Sequence, residues 1–196
     1  MRIHRFDTAA LAATPWKNGG GTTREIAAWP EGAGMDGFDW RVSIATIDQA
    51  GPFSAFAGVD RVIMLLDGGG VRLSSGGGRI DHRLDRPHVP FAFAGEAALD
   101  CELLGGRSTD FNVMTRRGRV RAEVRVLTGD SQVAPAAAGL LLALRGRWQL
   151  RGGDTTALES GAGLWWPEGP ARWHATPIDP EAALVAVRFE TLTPST

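Results

Sequence analysis

Apolar residues in this 196-residue chain alternate with polar ones over short runs, and each run stops at Gly, Pro or Asp after roughly ten residues. A period of two puts alternate side chains on opposite faces of a strand, so one face can be buried while the other stays wet. No stretch sustains the 3.6-residue period of an amphipathic helix. Ala9–Ala13 allows one helical turn before Pro15 ends it. The pattern predicts an all-β protein. Strands are expected at Arg2–Phe6, Thr22–Trp29, Trp40–Ile47, Arg61–Asp67, Val71–Ser74, Gly78–Leu84, Val89–Ala94, Ala97–Leu104, Asp110–Thr115 and Arg121–Leu127. Further strands are expected at Leu140–Arg145, Trp148–Arg151, Thr155–Leu158, Gly163–Trp166, Ala171–His174 and Ala183–Glu190. The triplets Gly68-Gly69-Gly70 and Gly76-Gly77-Gly78 supply the positive φ of tight hairpin turns.

A faint internal repeat sharpens this reading. Val62–Leu73 and Leu140–Arg151 each read as an apolar strand, a glycine turn and a second alternating strand. Each continues into a proline-containing segment ending at glycine, Pro90–Gly95 and Trp165–Gly169, and each closes on a similar strand, Ala97–Leu104 and Ala182–Phe189. Two sets of short strands predict two stacked β-sandwich or jelly-roll units. The Gly/Ala/Pro-rich stretch Thr128–Gly139 is the expected connection, which gives units over 1–127 and 128–196, with strands open to being shared between the two.

Composition excludes several function classes. With 21 basic and 22 acidic side chains the formal net charge is −1, which leaves no electrostatic footprint for nucleic acid or an anionic membrane. Apolar runs such as Val62–Leu66 and Leu140–Leu144 are far too short to cross a bilayer as a helix. Cys101 is alone and cannot form an internal disulfide, so a cytoplasmic location is expected. No bound metal is expected, because His4, His82, His88 and His174 include no His-x-His pair from which imidazoles and a carboxylate could converge. No Gly-x-Ser-x-Gly elbow or phosphate-binding glycine loop occurs, and Cys101 lies between Asp100 and Glu102, whose charges would oppose a thiolate. No catalytic residue and no cofactor are assigned.

Lys17 is the lone lysine among twenty arginines, and it adjoins Asn18, one of only two asparagines. Both sit in Pro15-Trp16-Lys17-Asn18-Gly19-Gly20-Gly21. In a chain otherwise drifting toward Arg, Ala, Gly and Pro, a retained Lys-Asn pair marks a chemical requirement.

The segment Pro15–Ile26 resembles the signature of the HutD/Ves family, and three further blocks fit it in order. These are Trp40–Ala45, then Gly51–Phe56 with Asp60-Arg61, and then Asp110–Gly118. The resemblance implies a bicupin, two RmlC-like jelly-roll barrels in one chain, in a family tied to bacterial histidine utilisation. It implies binding of a small pathway acid that moderates the pathway, and other members are described as stress-induced proteins.

Within that frame the alternation of the strands groups candidate ligand-binding residues. Asn112 and Met114 share a face with Asp110 and Arg116; Arg41 and Ser43 share one; so do Thr23 and Glu25. Lys17, Asn18, Thr23, Glu25, Arg41, Ser43, Arg61, Asn112 and Met114 are the expected site. Its ammonium, guanidinium and amide groups suit a small carboxylate such as formyl- or formiminoglutamate or urocanate. Lys17 is expected to be the most charge-sensitive member, with Arg61 either in the site or paired to Asp60, Asp67 or Glu25. The alternative is a metal-independent isomerase or hydrolase on the same acids, with Lys17 or Glu25 as acid/base. A third is a protein-interaction role for the C-terminal barrel, should Trp148, Trp165, Trp166 and Trp173 be exposed. Sheet edges allow a homodimer.

Overall fold

The structure, a computed structural model, describes residues 2–152 and 154–192. Strand β1 (His4–Asp7) leads into a single 3-10 turn, Thr8–Ala10, capped by the Asp7 carboxylate, which accepts from the Ala9 N–H at 2.8 Å. That turn replaces the one expected over Ala9–Ala13.

Ten strands follow: β2 (Ala13–Pro15), β3 (Gly21–Trp29), β4 (Trp40–Ile47), β5 (Gly51–Phe53), β6 (Val59–Gly68), β7 (Val71–Ser75), β8 (Asp81–Leu84), β9 (Phe91–Ala94), β10 (Leu99–Leu103) and β11 (Ser108–Arg116). They form an antiparallel sheet in the order β2-β3-β4-β11-β6-β9 and a second in the order β5-β10-β7-β8. Ile47, Ile63 and Phe93 from the first sheet pack with Val71, Leu73, Leu84, Leu99 and Cys101 from the second. At the β6–β7 hairpin Gly68 and Gly70 take φ of +97° and +78°. A Cβ on either would fall 2.2 Å from a carbonyl oxygen, of Arg107 or Leu84, so only glycine fits.

The remaining strands are β12 (Val120–Leu127), β13 (Ser131–Ala136), β14 (Ala138–Arg145), β15 (Trp148–Gly152), β16 (Asp154–Leu158), β17 (Ala162–Trp166), β18 (Ala171–Pro177) and β19 (Ala183–Thr191). They form sheets in the orders β1-β17-β14-β19-β12 and β13-β18-β15-β16. The order β12-β19-β14-β17 repeats β4-β11-β6-β9, and β13-β18-β15-β16 repeats β5-β10-β7-β8. The internal repeat is thus a repeat of topology. Its last match needs shifting: β10 corresponds to β18 and β11 to β19, whereas the sequence likeness set Ala97–Leu104 against Ala182–Phe189. Both are alternating apolar strands, and composition alone cannot tell the two positions apart.

The compact units are residues 12–118, and residues 2–11 together with 119–192. The division expected at 127/128 falls instead at 118/119, because β12 pairs with β19 from Val120↔Thr191 to Leu127↔Leu184. The first strand also changes side, pairing with β17 from His4↔Trp165 to Asp7↔Ala162. In this second unit Trp148, Trp166 and Trp173 fill the interior with Leu141, Leu150 and Leu184. All four tryptophans that would have made an aromatic surface are buried.

Candidate functional site

The inner face of the six-stranded sheet in the 12–118 unit carries the polar residues. Pairing register sets them in three rungs. Thr23, Ala45, Asp110 and Leu65 lie on the first; Glu25, Ser43, Asn112, Ile63 and Phe91 on the second; Ala28, Arg41, Met114, Arg61 and Phe93 on the third. A β-bulge between Glu25 and Ala27 keeps the β3 residues in step. Seven of the nine residues expected from the sequence therefore share one face.

Arg61 is the centre of this face. It is 7% exposed, and its guanidinium lies 4.9, 5.4 and 5.1 Å from the ring centroids of Phe53, Phe56 and Phe93. Its Nη2 donates to Asn112 Oδ1 at 2.9 Å and its Nη1 to the Ser54 carbonyl at 3.3 Å, while the buried Nε has no partner. None of the pairings expected with Asp60, Asp67 or Glu25 forms. Asp60 pairs with Arg117, and Glu25 pairs with Arg41 at 2.7 Å. Burial, and then the neighbouring Arg41 charge, lower the Arg61 pKa to about 10. Burying an ion costs several kcal/mol. Cation–π contacts with three rings return roughly 0.5–2 kcal/mol each. The balance left is a desolvated positive charge without a carboxylate partner among the described residues.

The neighbours orient this charge. Asn112 Nδ2 donates back to the Asp110 carbonyl at 3.4 Å, which leaves Oδ1 facing Arg61. Arg41 donates from Nε to Glu25 and from Nη1 to Ser43 Oγ at 3.4 Å. Met114 is buried with Phe38 and Val59, a packing contact at the end of the face. Asp110 is fully buried, accepts from Ser108 Oγ at 2.9 Å through Oδ1, and has no partner for Oδ2. Burial pushes its pKa up to about 6, with the Ser108 hydrogen bond opposing.

Lys17 and Asn18 are not part of this cluster. The Asn18 side chain accepts from the Gly20 N–H at 3.0 Å and so closes its own loop, and Trp16 Nε1 donates to Thr23 Oγ1 at 2.8 Å. Gly21 is required because a Cβ there would meet the Thr46 carbonyl oxygen at 2.2 Å. The Lys17 side chain is exposed. Gly21 pairs with Ile47, six residues along β4 from Arg41, so the loop and Arg61 lie at opposite ends of the face, ~20 Å apart along the strand. Sequence reasoning missed Phe53, Phe56 and Phe93 as a cage, although Phe53 and Phe56 lie in the block Gly51–Phe56. It noted Asp110 on the right face without assigning it a role.

The face does not fit a metal. Arg41 and Arg61 would repel a cation, and among the described residues no three His, Cys, Asp or Glu side chains come together. His82 stacks on Phe91 at 3.7 Å, His4 stacks on Trp165 at 3.9 Å, and His174 Nε2 lies 2.8 Å from Asp130. Among its described residues the second unit offers no comparable centre. Its groove between β12, β13 and β19 is lined by Arg121, Glu123, Arg188 and Glu190, whose charges pair with one another.

A family model described as HutD matches residues 8–185. The chain belongs to the HutD family. Protein Ves of Cronobacter sakazakii is 45% identical over 165 residues, covering 84% of this chain and 87% of that one. An uncharacterised 21.2 kDa protein of the hutC 3′ region in Pseudomonas putida is 45% identical over 131 residues, covering 65% of this chain and 66% of that one. The structure of HutD from Pseudomonas fluorescens SBW25, in a formate condition, superposes with a TM-score of 0.81 at 30% identity, covering 96% of this chain and all of that one. Membership ties this HutD protein to histidine utilisation. The cupin fold is shared with far more distant proteins, including an oxalate decarboxylase from Lactobacillus farciminis (TM-score 0.67, 8% identity) and a salicylate 1,2-dioxygenase from Pseudoaminobacter salicylatoxidans (0.66, 9%). No described helix is long and apolar enough to cross a membrane.

Proposed function

We propose that this HutD protein binds a small carboxylate of histidine degradation without a metal, at the Arg61–Asn112 centre of the 12–118 unit, and moderates the pathway through that binding. Formylglutamate, formiminoglutamate and urocanate are the acids in view. One observation carries the reading: Arg61 is buried, caged by three Phe rings and without a carboxylate partner among the described residues. An incoming carboxylate meets a guanidinium whose desolvation is already complete, so the attraction is screened little by water. Arg41 and Ser43 extend the positive, hydrogen-bonding wall, with Thr23 and Glu25 at its margin.

The enzymatic alternative lacks its proposed acid/base residues. Lys17 is exposed and remote from Arg61, and Glu25 is held by Arg41. Calorimetry of the purified protein against each acid, with product analysis of the same mixtures, tests both readings. At least one acid should bind and be recovered unchanged. Arg61→Met should weaken its binding by roughly 2–4 kcal/mol, the range for truncating a desolvated charged partner. Failure of every acid to bind, or full affinity in Arg61→Met, overturns the proposal.

A further inference from the structure

The Arg61 centre explains one end of an acid. A second buried polar group on the same face has no task in the protein. Asp110 lies two residues from Asn112 on β11, ~7 Å along the strand, and is fully buried. Its surroundings leave one oxygen unused: Ser108 Oγ serves Oδ1, Asn112 Nδ2 serves the Asp110 backbone carbonyl, and Oδ2 has no donor. Cys101 on β10 is coupled to Asp110: burial, then the Asp110 charge, push that thiol up to about 12. It stays a neutral thiol and supplies no cation. Leu65 and Ala45 flank Asp110 on its rung and bring no donor. A buried carboxylate oxygen without a donor is costly to maintain, and buried polar groups in folded proteins are normally paired.

We infer that Asp110 is the second pole of the acid site, its free Oδ2 accepting a hydrogen bond from an N–H of the ligand whose carboxylate lies on Arg61. This rests on the acid-binding reading and narrows it. The ligand class becomes a carboxylic acid with an N–H donor, an amide, amidine or azole, a few bonds from the carboxylate. A plain dicarboxylate would place a second negative charge against Asp110. The raised pKa agrees, because burial destabilises the ionised carboxyl and a hydrogen bond from a ligand N–H would offset that cost.

The test compares each acid with a counterpart in which oxygen replaces the N–H. The pairs are N-formyl-L-glutamate with 2-formyloxyglutarate, and urocanate with furan-3-acrylate, measured by calorimetry on the parent, Asp110→Asn and Arg61→Met proteins. The parent should prefer the N–H member of at least one pair by about tenfold or more, because the ester or furan leaves Oδ2 unpaired. Asp110→Asn should abolish that preference and retain binding of the N–H-less member. Equal parental affinity for both members of every pair overturns the role of Asp110 and leaves the Arg61 reading intact. So does a preference that persists in Asp110→Asn. If the parent binds none of the four compounds, nor formiminoglutamate in the same calorimetric series, both readings fall. The parental comparison needs no variant, so misfolding of Asp110→Asn would not protect the inference.

Discussion

Arg61 Nη2 donates to Asn112 Oδ1 at 2.9 Å, and this bond between β6 and β11 gives a buried guanidinium an amide where a carboxylate would neutralise it. The difference of one charge between Asn and Asp at position 112 decides whether the Arg61 centre is positive or neutral.

Asn112→Asp is therefore expected to pair Arg61 internally and abolish acid binding, with a loss of roughly 2–4 kcal/mol. The fold should persist, since the substitution is isosteric and the new carboxylate meets a guanidinium already in place. Titration calorimetry reads the first effect and near-ultraviolet circular dichroism the second. Retained affinity in a folded Asn112→Asp protein would show that the ligand does not need the free charge on Arg61.

Lys17→Met should leave acid affinity within about twofold of the parent, as expected for an exposed charge at the end of the face ~20 Å from Arg61 and screened by salt. This reverses the expectation drawn from the sequence, where the rarity of lysine made it the most charge-sensitive residue. The same calorimetric series at two salt concentrations checks it. A tenfold loss at both would move the site to the loop end of the face.

Asp110 makes stability depend on pH in a defined direction. Its pKa rises from the ordinary value near 4 in the unfolded chain to about 6 in the folded one. Between those values the folded state binds more protons, so stability falls as pH rises from about 4 to about 6, by about 3 kcal/mol at most. Asp110→Asn lacks this loss. Its melting temperature should exceed that of the ligand-free parent at pH 7.5 and converge with it near pH 4. A parental melting temperature that rises across this window relative to Asp110→Asn contradicts the assignment.

The second barrel should contribute stability and no ligand contact. Trp166 is fully buried, donates from Nε1 to the Ala136 carbonyl at 3.1 Å and packs 6.0 Å from Trp173. Trp166→Ala should cost about 3–5 kcal/mol in denaturant unfolding while the folded fraction binds acid normally. Arg172→Ala and His174→Ala should likewise leave affinity unchanged.

Chelation should not lower the melting temperature, because the histidines stand apart and the acid site is positive. Elemental analysis finding one tightly held metal per chain would overturn this.

Most of the fold was legible because period-two alternation and glycine turns are local signals. Trp40–Ile47 was delimited to the residue, and the polar face of β11 followed from parity alone. The short strands β2 and β5 escaped notice, since three residues carry too little alternation to register, and the expected connection Thr128–Gly139 proves to hold β13 and the start of β14, whose Gly, Ala and Pro content reads as loop. The unit boundary escaped for a different reason: β12 and β1 are assigned by their partners β19 and β17, which lie far along the chain. The same holds in the site. Parity placed Thr23, Glu25, Arg41, Ser43 and Asn112 on their faces, but only register could show that Lys17 stands at the wrong end, or that Phe53, Phe56 and Phe93 enclose Arg61.

Strand β1 has a place in the order of synthesis unlike any other strand. The unit of residues 12–118 contains every pairing partner of its own strands and can assemble while the rest of the chain is still being translated. Strand β1 leaves the ribosome before all of it and must wait for β17, whose Gly163 receives the Phe6 ring so closely that a Cβ there would sit 2.3 Å from Phe6 Cζ. Until Ala162–Trp166 has emerged, the leading strand is a tether with an uncovered aromatic ring. A strand made before the 12–118 unit thus closes only on a strand made after it.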